Sequence, residues 1–279
     1  EIEKLKSKEK NLRKRTFSKL SIWQKVQIAR HPQRPHTKDY IDLIFRNFVE
    51  LHGDRQYADD AAIIGGIGDI DNKSFMIIGH EKGRETEEKV RRNFGMPHPE
   101  GYRKAKRLML LAERFSLPII SFIDTAGAYP GIEGEERGQS EAIASNLALM
   151  SKLKTQILVF ITGEGGSGGA LGIGVGDHYS ILEHATYSVA SPEACSSIIW
   201  RTAEKAASAA EAMKVSAQEL IKIGIVDEII SEPNGGAHRN YSKTARAIKS
   251  SILENIAKFK AIDMDKLLEM RYQKLLKIG

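Results

Sequence analysis

Apolar positions along the chain switch between two spacings. The runs around Ile119-Ile120 and Ile157-Leu158-Val159-Phe160-Ile161 are continuous enough for strands buried on both faces. Between them, Tyr102, Ala105, Leu108, Met109 and Ala112 recur at helical spacing after Pro99, which predicts an amphipathic helix. The pattern also predicts a helix over 39–51, capped by Thr37 and turning Tyr40, Ile41, Ile44, Phe45 and Phe48 inward. Strands are expected over 63–67, 75–79, 118–124, 156–161, 179–182 and 187–190, a helix over 135–153, and further helices from 203. Residues 216–230 read as an amphipathic helix running into a strand, with Gly224 at the joint. Such alternation argues an α/β fold with a largely parallel sheet covered on both faces. Ile2, Leu5, Leu12 and Leu20 suggest an interrupted helix in an N-terminal arm, which His31-Pro32-Gln33-Arg34-Pro35 ends, placing a boundary near 36.

With 279 residues, 41% of them hydrophobic, the chain can bury one substantial core with helical extensions. Its single cysteine, Cys195, excludes an internal disulfide or a cysteine-rich zinc site and fits a reducing cytoplasm. No apolar run approaches the roughly 20 residues that span a bilayer, and Glu1-Ile2-Glu3-Lys4 does not open a signal peptide, although the missing initiator Met suggests trimming. Charge is unevenly placed: the first 30 residues carry ten Lys/Arg and three Glu, leaving 32 basic and 33 acidic residues for the rest. The net +6 therefore belongs to the arm, which reads as a solvated or partner-packing helix, and nucleic acid is not an expected partner.

Eight glycines crowd into the fourteen residues Gly163–Gly176, directly after the apolar run ending at Ile161. A strand that turns into a helix through side-chain-free backbone leaves amide N–H groups aimed outward, a socket for an oxyanion. Two motifs compete for the segment, and a third lies upstream of it. Gly163-Glu164-Gly165-Gly166-Ser167-Gly168 fits G-x-G-x-x-G, but follows several strands, with only Glu183 as a ribose-binding acid. Gly165-Gly166-Ser167-Gly168-Gly169 fits G-x-S-x-G, with Asp227 and His238 following in the order of a hydrolase triad. Asp124-Thr125-Ala126-Gly127 resembles a GTPase switch, yet no phosphate-binding P-loop accompanies it. Gly172, Gly174 and Gly176 read as close-packing positions, whereas a side chain at Gly168 or Gly169 would obstruct a ligand approaching the amides.

The stretches GYRKAKRLM, FIDTAGAYPG, EERGQSEAIA, GEGGSGGALGIGVGD, TYSVASPEAC and EPNGGAHRN, in this order, resemble the carboxyltransferase α subunits of multi-subunit acetyl-CoA carboxylases of bacteria and plastids. The resemblance runs from Trp23 to Gly279. It implies a crotonase-like core of ββα units over 37–240, between a helical arm over 1–36, expected to be incomplete, and a helical assembly segment over 241–279. It further implies an α₂β₂ enzyme of the cytoplasm, or of the stroma in a plant, working with a biotin carboxyl carrier protein and a biotin carboxylase. The reaction would move a carboxyl group from carboxybiotin to acetyl-CoA, giving malonyl-CoA for fatty acid synthesis. Biotin would arrive on the carrier, none being attached to this chain, and zinc would sit only on the β subunit.

By that resemblance the backbone N–H groups of Gly168 and Gly169 would stabilise the biotin enolate, with Gly165 and Gly166 beside them. Gly127, Tyr129, Pro130 and Gly131 would line the same cleft, Tyr129 either as a wall for biotin or as ordinary core, and Asp124 would brace the loop. Arg84, Arg91, Arg92 and Arg103 would either meet CoA phosphates or form a solvated face. A serine hydrolase acting through Ser167 and a non-catalytic scaffold stand as the competing classes.

Overall fold

The computed structural model describes residues 1–278. Two arm helices, α1 (Ile2–Phe17) and α2 (Ile22–Ala29), precede α3 (Thr37–Ile44) and three strands, β1 (Arg46–Glu50), β2 (Ile63–Ile70) and β3 (Lys73–His80). Then follow α4 (Thr86–Arg91), α5 (Pro99–Arg114), β4 (Ile119–Thr125), α6 (Ile132–Glu136), α7 (Gln139–Met150), β5 (Ile157–Gly166), α8 (Ser167–Leu171), β6 (His178–Leu182) and β7 (Thr186–Ser188). The chain continues through α9 (Pro192–Trp200), α10 (Ala206–Met213), α11 (Ala217–Lys222), β8 (Glu228–Ile230), α12 (Tyr241–Lys260) and α13 (Met264–Ile278).

The sheet runs β1-β2-β3-β4-β5-β6-β8, with β7 pairing β5 off the main path. β1, β2 and β3 are antiparallel, and every later pairing is parallel. The β2–β3 hairpin closes on Asp71-Asn72, both with positive φ (49° and 62°), the two-residue turn whose twist matches that of its strands. All residues of β4 are buried, as are all but one of β5, which explains their uninterrupted apolar runs. α5 begins with proline and buries all five expected apolar positions. The main core reaches from Tyr40 to Leu267, so α12 and α13 pack on it through Ile248, Ile252, Phe259 and Leu267. No described helix is long and apolar enough to cross a membrane.

Several elements depart from expectation. The helix over 39–51 ends at Ile44, because Phe45 turns extended (φ −104°, ψ 153°) and the chain continues as β1 against β2. A register shift in β1, where Asn47 has φ +53°, gives Phe45 and Phe48 a spacing that imitates a helix face. The cap of α3 is His36, whose N–H is held by Asp39 (2.7 Å), while the Thr37 hydroxyl donates to His80 O (2.5 Å). The helix over 135–153 is split by left-handed Gly138 (φ 81°) into α6 and α7. α9 has no counterpart among the expected elements, although Ser191 caps it and Pro192 opens it, a legible start signal. Finally, β5 extends to Gly166 instead of ending at Ile161, so three of the eight glycines are strand residues.

Candidate active site

β4 and β5 lie side by side with Thr125 opposite Gly165, so the loop after β4 and the turn after β5 leave the sheet together. Ends of neighbouring parallel strands are where open α/β sheets place ligands. The glycines here allow backbone to meet backbone: a Cβ on Gly166 would fall 2.1 Å from Ala126 O, and one on Gly169 would fall 2.3 Å from Gly127 C. Gly168 differs, since its nearest neighbour would be the Ile143 side chain at 3.6 Å, an ordinary contact. A Cβ on Gly172 would meet the Tyr102 ring (2.5 Å), one on Gly174 Ala170 O (2.5 Å), and one on Gly176 Ile157 O (2.8 Å), in line with a packing role.

Ser167, exposed and at φ +52°, makes the abrupt change from strand to helix. The amides of Ser167, Gly168 and Gly169 are the first of α8 and have no acceptor within the helix. The turn's carbonyls are held from below. Gly169 O receives the Tyr102 hydroxyl (3.3 Å) and pairs with His80 Nε2 (3.2 Å). His80 Nδ1 accepts the Asp124 N–H at 3.4 Å, which leaves the proton on Nε2 to donate. Burial keeps this imidazole neutral, with its pKa pushed down to about 4. Gly172 O accepts from Asn146 Nδ2 (2.8 Å) and Ile173 O from the Ser121 hydroxyl (2.5 Å).

Beneath the β4 loop runs a chain of charges. Lys82 Nζ lies 2.7 Å from Asp124 Oδ1 and 3.1 Å from Glu164 Oε2, and Arg30 bridges Glu164 (2.6 Å) to Glu193 (2.5 Å). Burial would raise the Asp124 carboxyl, but the Lys82 ammonium, the nearby His36 and the Glu164 N–H together hold it below the usual range. Asp124 Oδ1 also accepts the Glu164 N–H (3.0 Å), so this carboxylate ties β4 to β5. A cleft of about 290 Å³ opens on this charged side. On the other side, Gly168 borders an apolar recess of about 220 Å³ walled by Leu171, Tyr187, Val189, Leu220 and Ile225.

The remaining candidates are spread out. A Cβ on Gly165 would press on the Tyr187 ring (2.3 Å), and Gly127 has open space around it. Tyr129 is half-buried, lies over Gly131, rests on the His98 ring (4.1 Å) and donates to Glu133 (3.0 Å); Pro130 is exposed. Arg84 pairs with Asp39 and covers Tyr241, Arg92 pairs with Glu88 (3.0 Å), and Arg103 pairs with Asp54 (2.8 Å), whereas Arg91 is exposed.

Neither rival motif is assembled. Asp227 accepts from Tyr179 N (2.8 Å) and Lys274 (2.6 Å), while His238 stacks on His31 at 3.8 Å; no hydrogen bond among the described residues links Ser167, His238 and Asp227. Glu183 accepts from Glu232 N (3.0 Å), and Gly163–Gly166 are strand residues instead of a phosphate turn. Sequence reasoning missed His80, Lys82 and Tyr102. Tyr102 carried only a core signal, and the other two belong to no motif.

The profile of the family "acetyl co-enzyme A carboxylase carboxyltransferase-like" matches residues 1–279. The chain is 58% identical over 279 residues to the acetyl-coenzyme A carboxylase carboxyl transferase subunit alpha of Vibrio cholerae, covering 100% of this chain and 88% of that protein. Against the same subunit of Azotobacter vinelandii the identity is 57%, with the same coverage. Among solved structures, transcarboxylase 12S superposes with a TM-score of 0.65 at 15% identity, over 81% of this chain and 42% of that one. The β subunit of Pseudomonas aeruginosa geranyl-CoA carboxylase gives 0.64 at 13%, over 88% and 46%. These two likenesses establish the crotonase-like fold, and with the sequence relationships they lead to one conclusion: the chain belongs to the acetyl-CoA carboxylase carboxyltransferase family, on its α-subunit branch.

Proposed function

We propose that this chain, paired with a β subunit in an α₂β₂ assembly, transfers a carboxyl group from carboxybiotin on a carrier protein to acetyl-CoA. Malonyl-CoA is the product, the cytoplasm the place of action, and a separate biotin carboxylase recharges the carrier. Zinc, in this reading, belongs to the β subunit. The observation that carries the proposal is the turn at Gly168, where free amides border an apolar recess and no Cβ intervenes.

The residues fit a bicyclic urea. Leu171, Tyr187 and Val189 offer apolar walls to a ring, the Gly168 amide at the recess offers a donor to its oxygen, and the Gly169 amide follows it in the first turn of α8. Carboxybiotin, when bound, supplies the carboxyl group and gains negative charge on its ureido oxygen as that group leaves. The amides act on that charge as fixed dipoles in a partly dry site, where one donor is worth about 2.7–4 kcal/mol. Tyr102 and His80 set the turn's orientation by holding Gly169 O from within the core. Gly166 and Gly169 let the turn close against the β4 loop, and Tyr129, Pro130 and Gly131 form the outer part of that loop. Of the four arginines considered for CoA phosphates, Arg91 is the one without a carboxylate partner among the described residues. The helices beyond Tyr241 serve assembly.

The test is reconstitution. The purified chain alone should form no malonyl-CoA and no adduct at Ser167 with a serine-directed phosphonate, and should become active when mixed with the β subunit and a carboxylated biotin donor. An adduct, or no turnover by the assembled pair, overturns the reading.

A further inference from the structure

The loop between β1 and β2 meets α5 in an arrangement that the carboxyltransferase reading does not use. Arg107 donates from Nε to Gly53 O (3.0 Å) and from Nη2 to Leu51 O (2.8 Å) and His52 O (3.2 Å). Arg55 Nη1 donates to the same His52 oxygen at 2.8 Å. Two guanidinium groups therefore converge on one neutral carbonyl. Arg55 reaches it from a left-handed backbone (φ +66°), a conformation that a side chain disfavours.

The neighbouring carboxylates are committed elsewhere. Asp54 accepts the amides of Gln56, Tyr57 and Ala58 on Oδ1 and Arg103 on Oδ2. Asp59 accepts Lys104 and the Gly53 amide and pairs with His52. Backbone carbonyls thus position Arg55 and Arg107 without neutralising them. Burial, and then the nearby Arg55 charge, pull the Arg107 pKa down from its ordinary value. These two side chains open onto a groove of about 570 Å³, in which Lys106 and Arg114 join them from the same stripe of α5. Arg103 also borders it but is paired with Asp54, which leaves Arg55, Lys106, Arg107 and Arg114 facing Glu141, and Leu110 and Leu111 provide an apolar ledge.

We propose that this groove binds a small molecule carrying two or more phosphoryl groups, with its apolar part on Leu110 and Leu111. Guanidinium forks match phosphate oxygens, and a diphosphate, at about −1.5 to −2 per terminal phosphoryl group, matches the unbalanced charge better than a single carboxylate. The site is separate from the α8 turn: Glu141 of α7 borders the groove, while Ile143, two residues on and so on the opposite side of that helix, is what a Cβ on Gly168 would meet. The proposal does not depend on the carboxyltransferase reading.

Isothermal titration calorimetry of the whole chain with inorganic tripolyphosphate at low salt tests it. One saturable site is expected, weakened at least tenfold in Arg55→Gln/Lys106→Gln, whose side chains are exposed or half-buried and whose loss should leave the melting temperature unchanged. Lys152→Gln, which removes an exposed charge elsewhere, should bind as the parent does. No saturable binding, or equal weakening by Lys152→Gln, overturns the proposal. Competition then identifies the source of the phosphates. Displacement by coenzyme A but not by ADP assigns the carrier of the acyl group, and displacement by ADP assigns a free nucleotide. Displacement by neither overturns an organic ligand.

Discussion

Gly169 rests directly on Gly127, so that a Cβ added to Gly169 would lie 2.3 Å from the Gly127 carbonyl carbon and 2.5 Å from Ala128 N. Two loops that leave adjacent parallel strands are locked together through bare backbone. The neighbouring Gly168 has no such constraint, and this difference separates folding from chemistry at the turn.

Gly169→Ala should destabilise the chain by about 1–3 kcal/mol, the range for forcing volume into a packed site. Gly168→Ala should leave stability nearly unchanged, because its Cβ meets only Ile143. Gly168→Val, in the assembled enzyme, should cut kcat by about 10²–10³ with the fold retained. Melting curves and steady-state rates check the three variants; a stable Gly169→Ala protein would refute the backbone lock. Valine at position 169 is a poor probe of mechanism, since it would disturb the fold first.

Removing the Tyr102 hydroxyl as Tyr102→Phe deletes one of the two donors to Gly169 O and should cost about 0.5–1.5 kcal/mol of stability. His80→Gln keeps an amide donor near the position of Nε2, whereas His80→Leu does not. The orientation argument predicts a lower kcat with unchanged KM in Tyr102→Phe and His80→Leu, and partial recovery in His80→Gln. Equal rates in His80→Gln and His80→Leu would remove it.

The stability of the chain should fall with acid below neutrality. The folded His80 pKa is about 4, against an ordinary 6.5, so between those values the unfolded chain takes up a proton that the folded one does not. The His80 contribution is complete above pH 6.5 and is lost as the pH drops toward 4. Denaturant titrations at pH 7 and pH 5 should show this loss in the parent and a smaller one in His80→Gln. An identical pH dependence in both proteins would count against it.

Arg271 is buried on α13 and spends its guanidinium on both oxygens of Asp177 (2.8 and 2.9 Å) and on the carbonyls of Met150, Leu153 and Thr155. Arg271→Ala would leave Asp177 buried and uncompensated, at a cost of about 3–5 kcal/mol. Arg271→Ala combined with Asp177→Asn should cost less than the sum of the two single changes, measured as a double-mutant cycle.

What was legible in the chain alone is local. Uninterrupted apolar runs marked β4 and β5, helical spacing marked α5, and dense glycine after Ile161 marked a place where backbone approaches something closely. Ordered motif blocks carried the family. Periodicity, however, reports only neighbours a few residues apart. It could not say that Phe45 and Phe48 belong to the end of a helix and a bulged strand, nor that the glycine run divides among a strand, a short helix and the loop beyond. Nor could it bring His80 and Tyr102 to one oxygen of Gly169, Arg271 to Asp177 across 94 positions, or Arg55 and Arg107 to one carbonyl. Those meetings exist only once the parallel strands have closed into a sheet and the helices have packed on it, because the partners lie far apart in the chain and each taken singly has the pattern of an ordinary core or surface residue.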